Sequence, residues 1–441
     1  MKIISCYKYK DVGILGAGLS GLAAAKILSN SKANIFVFDD KKDKPNFIRK
    51  KSWKNYNLWP WESLSVLVVS PGIPINSKNK HLAIRLAIEN KVKIINEIDL
   101  FFETKPEAKI IGITGTNGKS TTVALLFHIL KSNKIKCVIG GNYGLPACEI
   151  KDPGKHGIII LELSSYQLDG AKKLSLDLAT ITNITKDHLD YHETFKKYKL
   201  SKLKIINFLK ENGTLILDAD NKILHEMVYK KKFKSKNIIK ITKDKIHNFV
   251  NDNDYLQGTH NASNCSIAVS IAKHLNITLE KIKFAIENFK GLPHRMEPIY
   301  ISDRIKIIND SKSTNGESTA AALKSFKNIF WIAGGQPKSG GIGEAKNFLD
   351  RVIEVFLIGK STKFFCKEIS SFKQDLQIHN CLTLEKATKL AFKKAAISNF
   401  KNYVILLSPS AASFDQYRNF EDRGNKFKEI VNQQLSESLI K

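Results

Sequence analysis

Seven consecutive residues, Gly115-Thr116-Asn117-Gly118-Lys119-Ser120-Thr121, combine glycines, hydroxyls and one amine in an order that can grip a phosphate. Glycines let backbone N–H groups turn toward phosphate oxygens, and the helix that follows adds partial positive charge at its N-terminus. Lys119 supplies a point charge for the outer phosphates, and the Ser120 hydroxyl can ligate Mg²⁺. An apolar strand is predicted just before, over Lys109–Ile113, and an apolar helix just after, over Thr122–Leu130. The strict phosphate-loop spacing would put glycine where Ile113 stands, so the loop is a variant. A glycine-rich turn with an incidental lysine is the competing account. The agreement of strand, loop and helix favours a bound nucleoside triphosphate.

Four further clusters carry chemistry. Gly16-Ala17-Gly18-Leu19-Ser20-Gly21 follows a predicted strand, Val12–Leu15, and Asp39 ends the next one. That is the form of a dinucleotide fingerprint, in which glycines approach a phosphate and an acid reads a ribose. Alone it indicates a phosphate-bearing ligand without saying which, and a tight turn that binds nothing has the same look. Glu162 ends the predicted strand Gly157–Leu161, where it can orient Mg²⁺ or merely cap a turn. Asp187-His188-Leu189-Asp190 follows the strand Leu178–Thr182 and sets a histidine between two acids, the composition of a metal or acid–base site. Taken singly, an exposed histidine is the commoner case; with Glu162 and the phosphate loop, a Mg²⁺ role is favoured. Downstream, Gly258-Thr259-His260-Asn261 with Asn264 opens a helix, and Pro293-His294-Arg295 marks a break in the pattern. The amides are helix caps or base readers, and Arg295 is a candidate clamp on a transferring phosphoryl group.

These residues need a framework of strand C-termini, and the chain supplies three. Short apolar strands alternate with amphipathic helices throughout, which implies parallel sheets. Thr104-Lys105-Pro106 and Gly291-Leu292-Pro293 interrupt the alternation. We therefore expect an α/β protein of three tandem domains, 1–104, 105–290 and 291–441, the outer two Rossmann-like and the central one a phosphate-loop ATPase. A length of 441 residues suits two or three cores. The six cysteines are scattered without metal-ligand spacing, so a reduced protein is expected. No apolar run is long enough to cross a bilayer and the first residues lack a secretory pattern, so the expected location is the cytoplasm. The net charge of +28 raises the question of nucleic acid. The lysines, however, are spread evenly beside Ile and Asn, without clustered arginines or interleaved aromatics. A compositional drift accounts for them, and no nucleic-acid partner is expected.

Taken together, the clusters resemble the Mur ligase family, in the family's order, from about Val12 to Glu429. The resemblance extends to Asn309-Asp310-Ser311-Lys312-Ser313-Thr314-Asn315 and to the tail Ser408-Pro409-Ser410-Ala411-Ala412-Ser413-Phe414-Asp415-Gln416-Tyr417, with Asn419-Phe420-Glu421 and Arg423-Gly424. It implies an ATP- and Mg²⁺-dependent amide ligase of peptidoglycan precursor synthesis, with UDP-N-acetylmuramoyl-L-alanine and D-glutamate as small-molecule substrates and a monomer as the working form. Carried over by position, Leu19, Ser20, Asp39, Ser70 and Asn142 would hold the UDP-sugar. Gly115 to Thr121, with Asn264, Arg295 and Asp310, would bind ATP. Ser120, Glu162, His188 and a carbamylated Lys202 would hold metal. Lys119, His188, Lys202 and Arg295 would act in catalysis, and Lys312, Thr314, Lys338, Ser413 and Phe420 would bind D-glutamate. Gln336-Pro337 stands where many members carry Asp-Gly, a departure that bears on Lys338.

Other classes fit parts of the chain. A folate polyglutamate synthase-like ligase shares the ATP chemistry but gives no reason for the Gly16–Gly21 turn. An NAD-binding oxidoreductase would use that turn with Asp39 and leave the second loop unexplained.

Overall fold

Among the described residues the chain forms three sheets. The computed structural model describes residues 3–41, 43–218, 237–241, 253–256, 259–337 and 340–439. Gly258 and Lys338, both singled out above, lie outside them. The chain divides into two compact units, Met1–Ile246 with Ser263–Ala285, and His247–Ala262 with Ile286–Lys441.

In the first unit, β1 (Asp11–Leu15), β2 (Asn34–Phe38), β3 (Leu64–Val69) and β4 (Lys93–Ile95) form a parallel sheet ordered β2-β1-β3-β4. Its residues alternate between two apolar layers. Val12, Ile14, Val37 and Val66 pack with Ala24 and Leu28 on one face; Leu15, Leu67 and Val69 pack with Trp59 and Ile84 on the other. Burial on both faces is what a parallel sheet requires.

A second parallel sheet of the same unit has the order β10-β9-β8-β5-β7-β6. Its strands are β5 (Lys109–Thr114), β6 (Cys137–Gly141), β7 (Ile158–Glu162), β8 (Leu176–Ile181), β9 (Leu209–Asp218) and β10 (Asn237–Ile241). Strand β5 lies between β7 and β8, so its C-terminal end faces a point where the strand order reverses, the usual ligand position in such sheets. Register completes the arrangement: Ile113 pairs with Glu162, Gly141 with Glu162, and Thr114 with Ile181. The loops after β5, β6, β7 and β8 thus leave the sheet side by side.

The second unit holds the order β11-β12-β16-β13-β14-β15. These are β11 (Glu297–Ile301), β12 (Ile305–Asn309), β13 (Ile329–Gly334), β14 (Val352–Ile358), β15 (Gln377–Leu382) and β16 (Tyr403–Leu407). All pairs are parallel except β11 with β12. Two apolar layers again enclose the sheet, one around Trp331 and Phe365, the other around Phe330, Phe356 and Phe427.

One helix begins earlier than its apolar pattern suggests. It spans Lys119–Ser132, so Lys119, Ser120 and Thr121 form the first helical turn rather than the loop. Gly118 caps it with φ +81°, left-handed backbone that glycine adopts at least cost.

Candidate active site

The loop after β5 is wired to its neighbours on every side. Ser120 Oγ donates to Glu162 Oε2 at 2.6 Å, and Asn142 Nδ2 donates to Glu162 Oε1 at 2.7 Å. Glu162 is only 1% exposed, so both carboxylate oxygens are aimed by hydrogen bonds in a dry setting. Lys119 Nζ donates to the Gly115 and Thr116 carbonyls at 2.9 and 2.8 Å, folded back over its own loop. Gly115 has φ +153°, and a β-carbon there would collide with the Thr182 hydroxyl; one on Gly118 would collide with the Asn264 carboxamide. Asn264, 3% exposed, therefore lies directly against the turn.

Strand β8 brings the histidine segment to the same loop. Thr116 N bonds the Asn183 carbonyl, Asn117 N bonds Asn183 Oδ1, and Thr185 N bonds Thr116 Oγ1. His188 follows with φ +52°, capping the short helix Leu189–His192. A non-glycine residue in that region costs about 1–2 kcal/mol, a strain common at functional sites. Lys202 arrives from helix Phe195–Asn207 and donates to the Gly115 carbonyl at 2.6 Å. It is 1% exposed, and burial, reinforced by the charge of Lys119, holds its amine well below the usual lysine range. Asp187 and Glu162 pull in the opposite direction.

The first sheet meets this site through a cavity of about 560 Å³ whose wall includes Leu19, Ser20, Asp39, Ser70, Asn142 and Tyr166. All five residues assigned to the UDP-sugar line it. Its size suits a small molecule. Asp39 also shapes the glycine turn. Its Oδ2 accepts the Ala17 N–H at 2.6 Å, and its Oδ1 accepts the Lys41 N–H at 2.9 Å. The Ser70 hydroxyl donates to the Gly16 carbonyl at 3.0 Å and braces the turn from β3.

Within the second unit, Asp310 is buried and accepts from the Ser408 hydroxyl at 2.8 Å and the Met296 N–H at 3.2 Å. Burial outweighs these bonds and pushes its carboxyl up to about 7. Arg295 sits between Met296 and His294, whose Nδ1 lies 2.9 Å from Asn309 Nδ2. Lys312 Nζ stands 3.5 Å from the centre of the Phe420 ring. Ser311 Oγ donates to the Phe420 carbonyl, and Ser413 is 2% exposed. Thr314 follows the same strand end, four residues before Ser318 of helix Gly316–Ser325.

Three residues of the site have no role that the sequence alone assigns. Tyr198 shares a 2.8 Å hydrogen bond with the Thr116 hydroxyl, and Lys202 Nζ lies 4.8 Å from its ring centre. Its one sequence signal is the i−4 spacing from Lys202, which puts both on one helix face. Asn183 receives the phosphate-loop amides, and Tyr166 lines the cavity.

Comparison with known proteins gives the family of the chain. A family model of the Mur ligase middle domain matches residues 113–280. The UDP-N-acetylmuramoylalanine--D-glutamate ligase of Rickettsia bellii is 34% identical over 456 residues, covering 97% of this chain and 99% of that protein. The ligase of the same name from the Wolbachia of Brugia malayi is 32% identical, with 96% of each chain covered. Among solved structures, MurF of Thermotoga maritima in complex with ADP aligns with a TM-score of 0.59 at 16% identity over 98% of both chains, a likeness of fold. MurC of the same organism aligns at 0.58 and 17%, over 96% of this chain and 99% of that one. With relatives above 30% identity along nearly all of both sequences, the chain belongs to the Mur ligase family, among the UDP-N-acetylmuramoylalanine--D-glutamate ligases.

Proposed function

We propose that this protein uses ATP to join the amine of D-glutamate to the carboxylate of UDP-N-acetylmuramoyl-L-alanine, a step of peptidoglycan precursor synthesis. The observation that carries the reading is the Ser120–Glu162–Asn142 chain of hydrogen bonds. It joins the phosphate loop to a residue lining the sugar-nucleotide cavity.

A carboxylate resists attack by an amine because it has no good leaving group. Moving the terminal phosphoryl group of ATP onto it makes phosphate that leaving group. Lys119, released from the loop carbonyls, would neutralise charge on the outer phosphates, and Arg295 would do so on the transferring group. The amine of D-glutamate then attacks the acyl carbon; the C–N bond forms, the C–O bond breaks, and phosphate departs with the bonding pair. The tetrahedral oxyanion on the way is stabilised by the same cations. Asn264 and Asp310 would contact ATP. Lys312, Thr314, Ser413 and Phe420 would hold the amino acid, and Lys338, outside the described residues, keeps that assignment from the resemblance.

The donor set suits Mg²⁺. Ser120 and Glu162 offer hard oxygens at 2.6 Å from one another, and Mg²⁺ takes one or two protein carboxylates while keeping waters and phosphate oxygens. Bound there, the ion would neutralise charge between the outer phosphates; His188 joins its ligands on the resemblance alone. A neutral, buried Lys202 amine is the form that adds carbon dioxide and releases a proton to give the carbamate implied by the resemblance. We assign the domain limits 1–104, 105–290 and 291–441, a cytoplasmic location and a monomeric form on the same reading. Among the described residues no helix is long and apolar enough to cross a membrane.

Phosphate release by the purified protein should require ATP, UDP-N-acetylmuramoyl-L-alanine and D-glutamate together. L-glutamate, D-alanine and meso-diaminopimelate should not replace D-glutamate. Release driven by a folate and glutamate instead would favour the folate ligase reading.

A further inference from the structure

Arg295 stands between two backbone conformations that residues with side chains rarely adopt. His294 before it has φ +63° and Met296 after it φ +47°, both left-handed. Leu292-Pro293-His294-Arg295 closes as a turn, with the Arg295 N–H donating to the Leu292 carbonyl at 3.3 Å. Proline at the second position and positive φ at the third is the pattern of a type II turn, where glycine is the usual third residue. Histidine and methionine persist in such backbone only where their surroundings over-determine it.

Those surroundings converge on one carboxylate. Glu297 Oε2 accepts the His294 N–H at 2.9 Å and the Asn309 amide at 3.1 Å, and Oε1 accepts from Lys428 Nζ at 2.8 Å. Asn309 ends β12 and is buried. Its Oδ1 takes the Ser311 N–H, so its Nδ2 faces Glu297, the His294 ring and the Gly424 carbonyl. Lys428 comes from helix Phe420–Leu439, one turn past Gly424, where a β-carbon would strike the His294 ring. Two backbone donors fix the rest of the turn: Met296 N to Asp310 Oδ1 at 3.2 Å, and Lys312 N to the His294 carbonyl at 3.0 Å. Glu297 thus ties the turn both to the end of β12 and to the helix, through bonds strengthened by its charge.

We propose that Glu297 is a positioning residue for Arg295: its carboxylate holds the strained turn from His294 to Met296 and so sets where the guanidinium meets the transferring phosphoryl group. The inference rests on the reading of Arg295 as the clamp on that group. Without the carboxylate, the His294 N–H loses its acceptor and the turn can relax to negative φ, carrying the Arg295 side chain away. A displacement of about 1 Å at a catalytic group can cost about 10²-fold in rate.

The test measures phosphate release by the full-length protein with ATP, UDP-N-acetylmuramoyl-L-alanine and D-glutamate. The wild type is compared with Glu297→Ala, Glu297→Gln, Arg295→Ala and the double variant. Glu297→Ala should lower kcat by about 10–100-fold and leave KM for the sugar nucleotide unchanged, because that cavity is lined by residues of the first unit. Glu297→Gln can offer its amide oxygen to the same two N–H groups and should restore most of kcat, while Tm falls with the loss of the Lys428 pair. Added to Arg295→Ala, the Glu297→Ala change should lower kcat little further, a non-additivity that a merely structural role would not produce. Should Glu297→Ala fail to fold, Glu297→Asp takes its place. It keeps a charge for Lys428 but falls one methylene short of the His294 N–H, and the same kcat loss and non-additivity are expected. A wild-type kcat in the Glu297 variants, or a loss that multiplies in full with that of Arg295→Ala, would overturn the inference and leave the Arg295 reading intact. A wild-type rate in Arg295→Ala would overturn both.

Discussion

Ser120 Oγ donates a 2.6 Å hydrogen bond to Glu162 Oε2, joining the first turn of helix Lys119–Ser132 to the end of β7. A buried carboxylate that accepts from both a hydroxyl and the Asn142 amide is held in one orientation, ready for a cation. Glu162→Gln keeps the shape but turns one acceptor into a donor. Turnover should fall by about 10–100-fold, with a raised Mg²⁺ requirement. A titration of rate against Mg²⁺ concentration checks this.

Lys119 reaches two carbonyls of its own loop. Lys119→Ala should lower kcat by about 10²–10³-fold or more, the scale for losing one preorganised charge-stabilising donor. Lys119→Arg should not restore it, because a planar guanidinium cannot replace a compact ammonium in so close a turn. Single-turnover rates with saturating ATP measure both.

Gly118 combines a left-handed backbone with the Asn264 side chain pressed against it. Gly118→Ala should cost about 1–2 kcal/mol in backbone strain alone, with the collision in addition. The result should be weakened ATP binding, read by fluorescence with a labelled nucleotide, at a modest loss of thermal stability.

Glu97 is fully buried, accepts the Cys148 N–H at 2.6 Å through Oε1, and has no partner for Oε2 among the described residues. Burial pushes its carboxyl up to about 7, against the lowering effect of the Cys148 bonds. The folded protein then binds this proton more tightly than the unfolded chain does. Stability from this group is present in full below the unfolded value near 4.5 and is lost as pH rises through 7. Glu97→Gln should therefore be more stable than the wild type at pH 8, and the difference should shrink toward pH 5. Chemical denaturation across that range reads the slope.

The Arg423 guanidinium, 1% exposed, donates to the carbonyls of Ser311, Ala411, Ala412 and Gly334 and to the Ser311 hydroxyl. It pins the loops that follow β12, β13 and β16. Arg423→Met removes a charged donor from several buried acceptors and should destabilise the second unit by about 3 kcal/mol or more. Limited proteolysis of the purified variant would expose the change.

Much of this arrangement is legible in the chain, for identifiable reasons. Glu162 reads as a strand-end acid because an apolar run of four precedes it, and parallel register alone carries it beside Ile113. The Gly16–Gly21 segment reads as a ligand turn, yet Asp39 locks it through Ala17 as well as lining the cavity. The apolar pattern puts the start of helix Lys119–Ser132 three residues late, because polar first-turn residues carry no apolar period. Tyr198 and Thr116, 82 positions apart, and Tyr166 with His188 meet only through tertiary packing. Nothing in either segment announces such partners, since any hydroxyl has many acceptors to choose from.

The proposed chemistry requires that a terminal phosphoryl group passes to a carboxylate before the amine attacks. Carboxylate-¹⁸O-labelled UDP-N-acetylmuramoyl-L-alanine tests it most directly, by mass analysis of the phosphate released during turnover with D-glutamate. One labelled oxygen should appear in each phosphate, left behind when the acyl C–O bond breaks. Unlabelled phosphate accompanying full product formation would contradict that order of events.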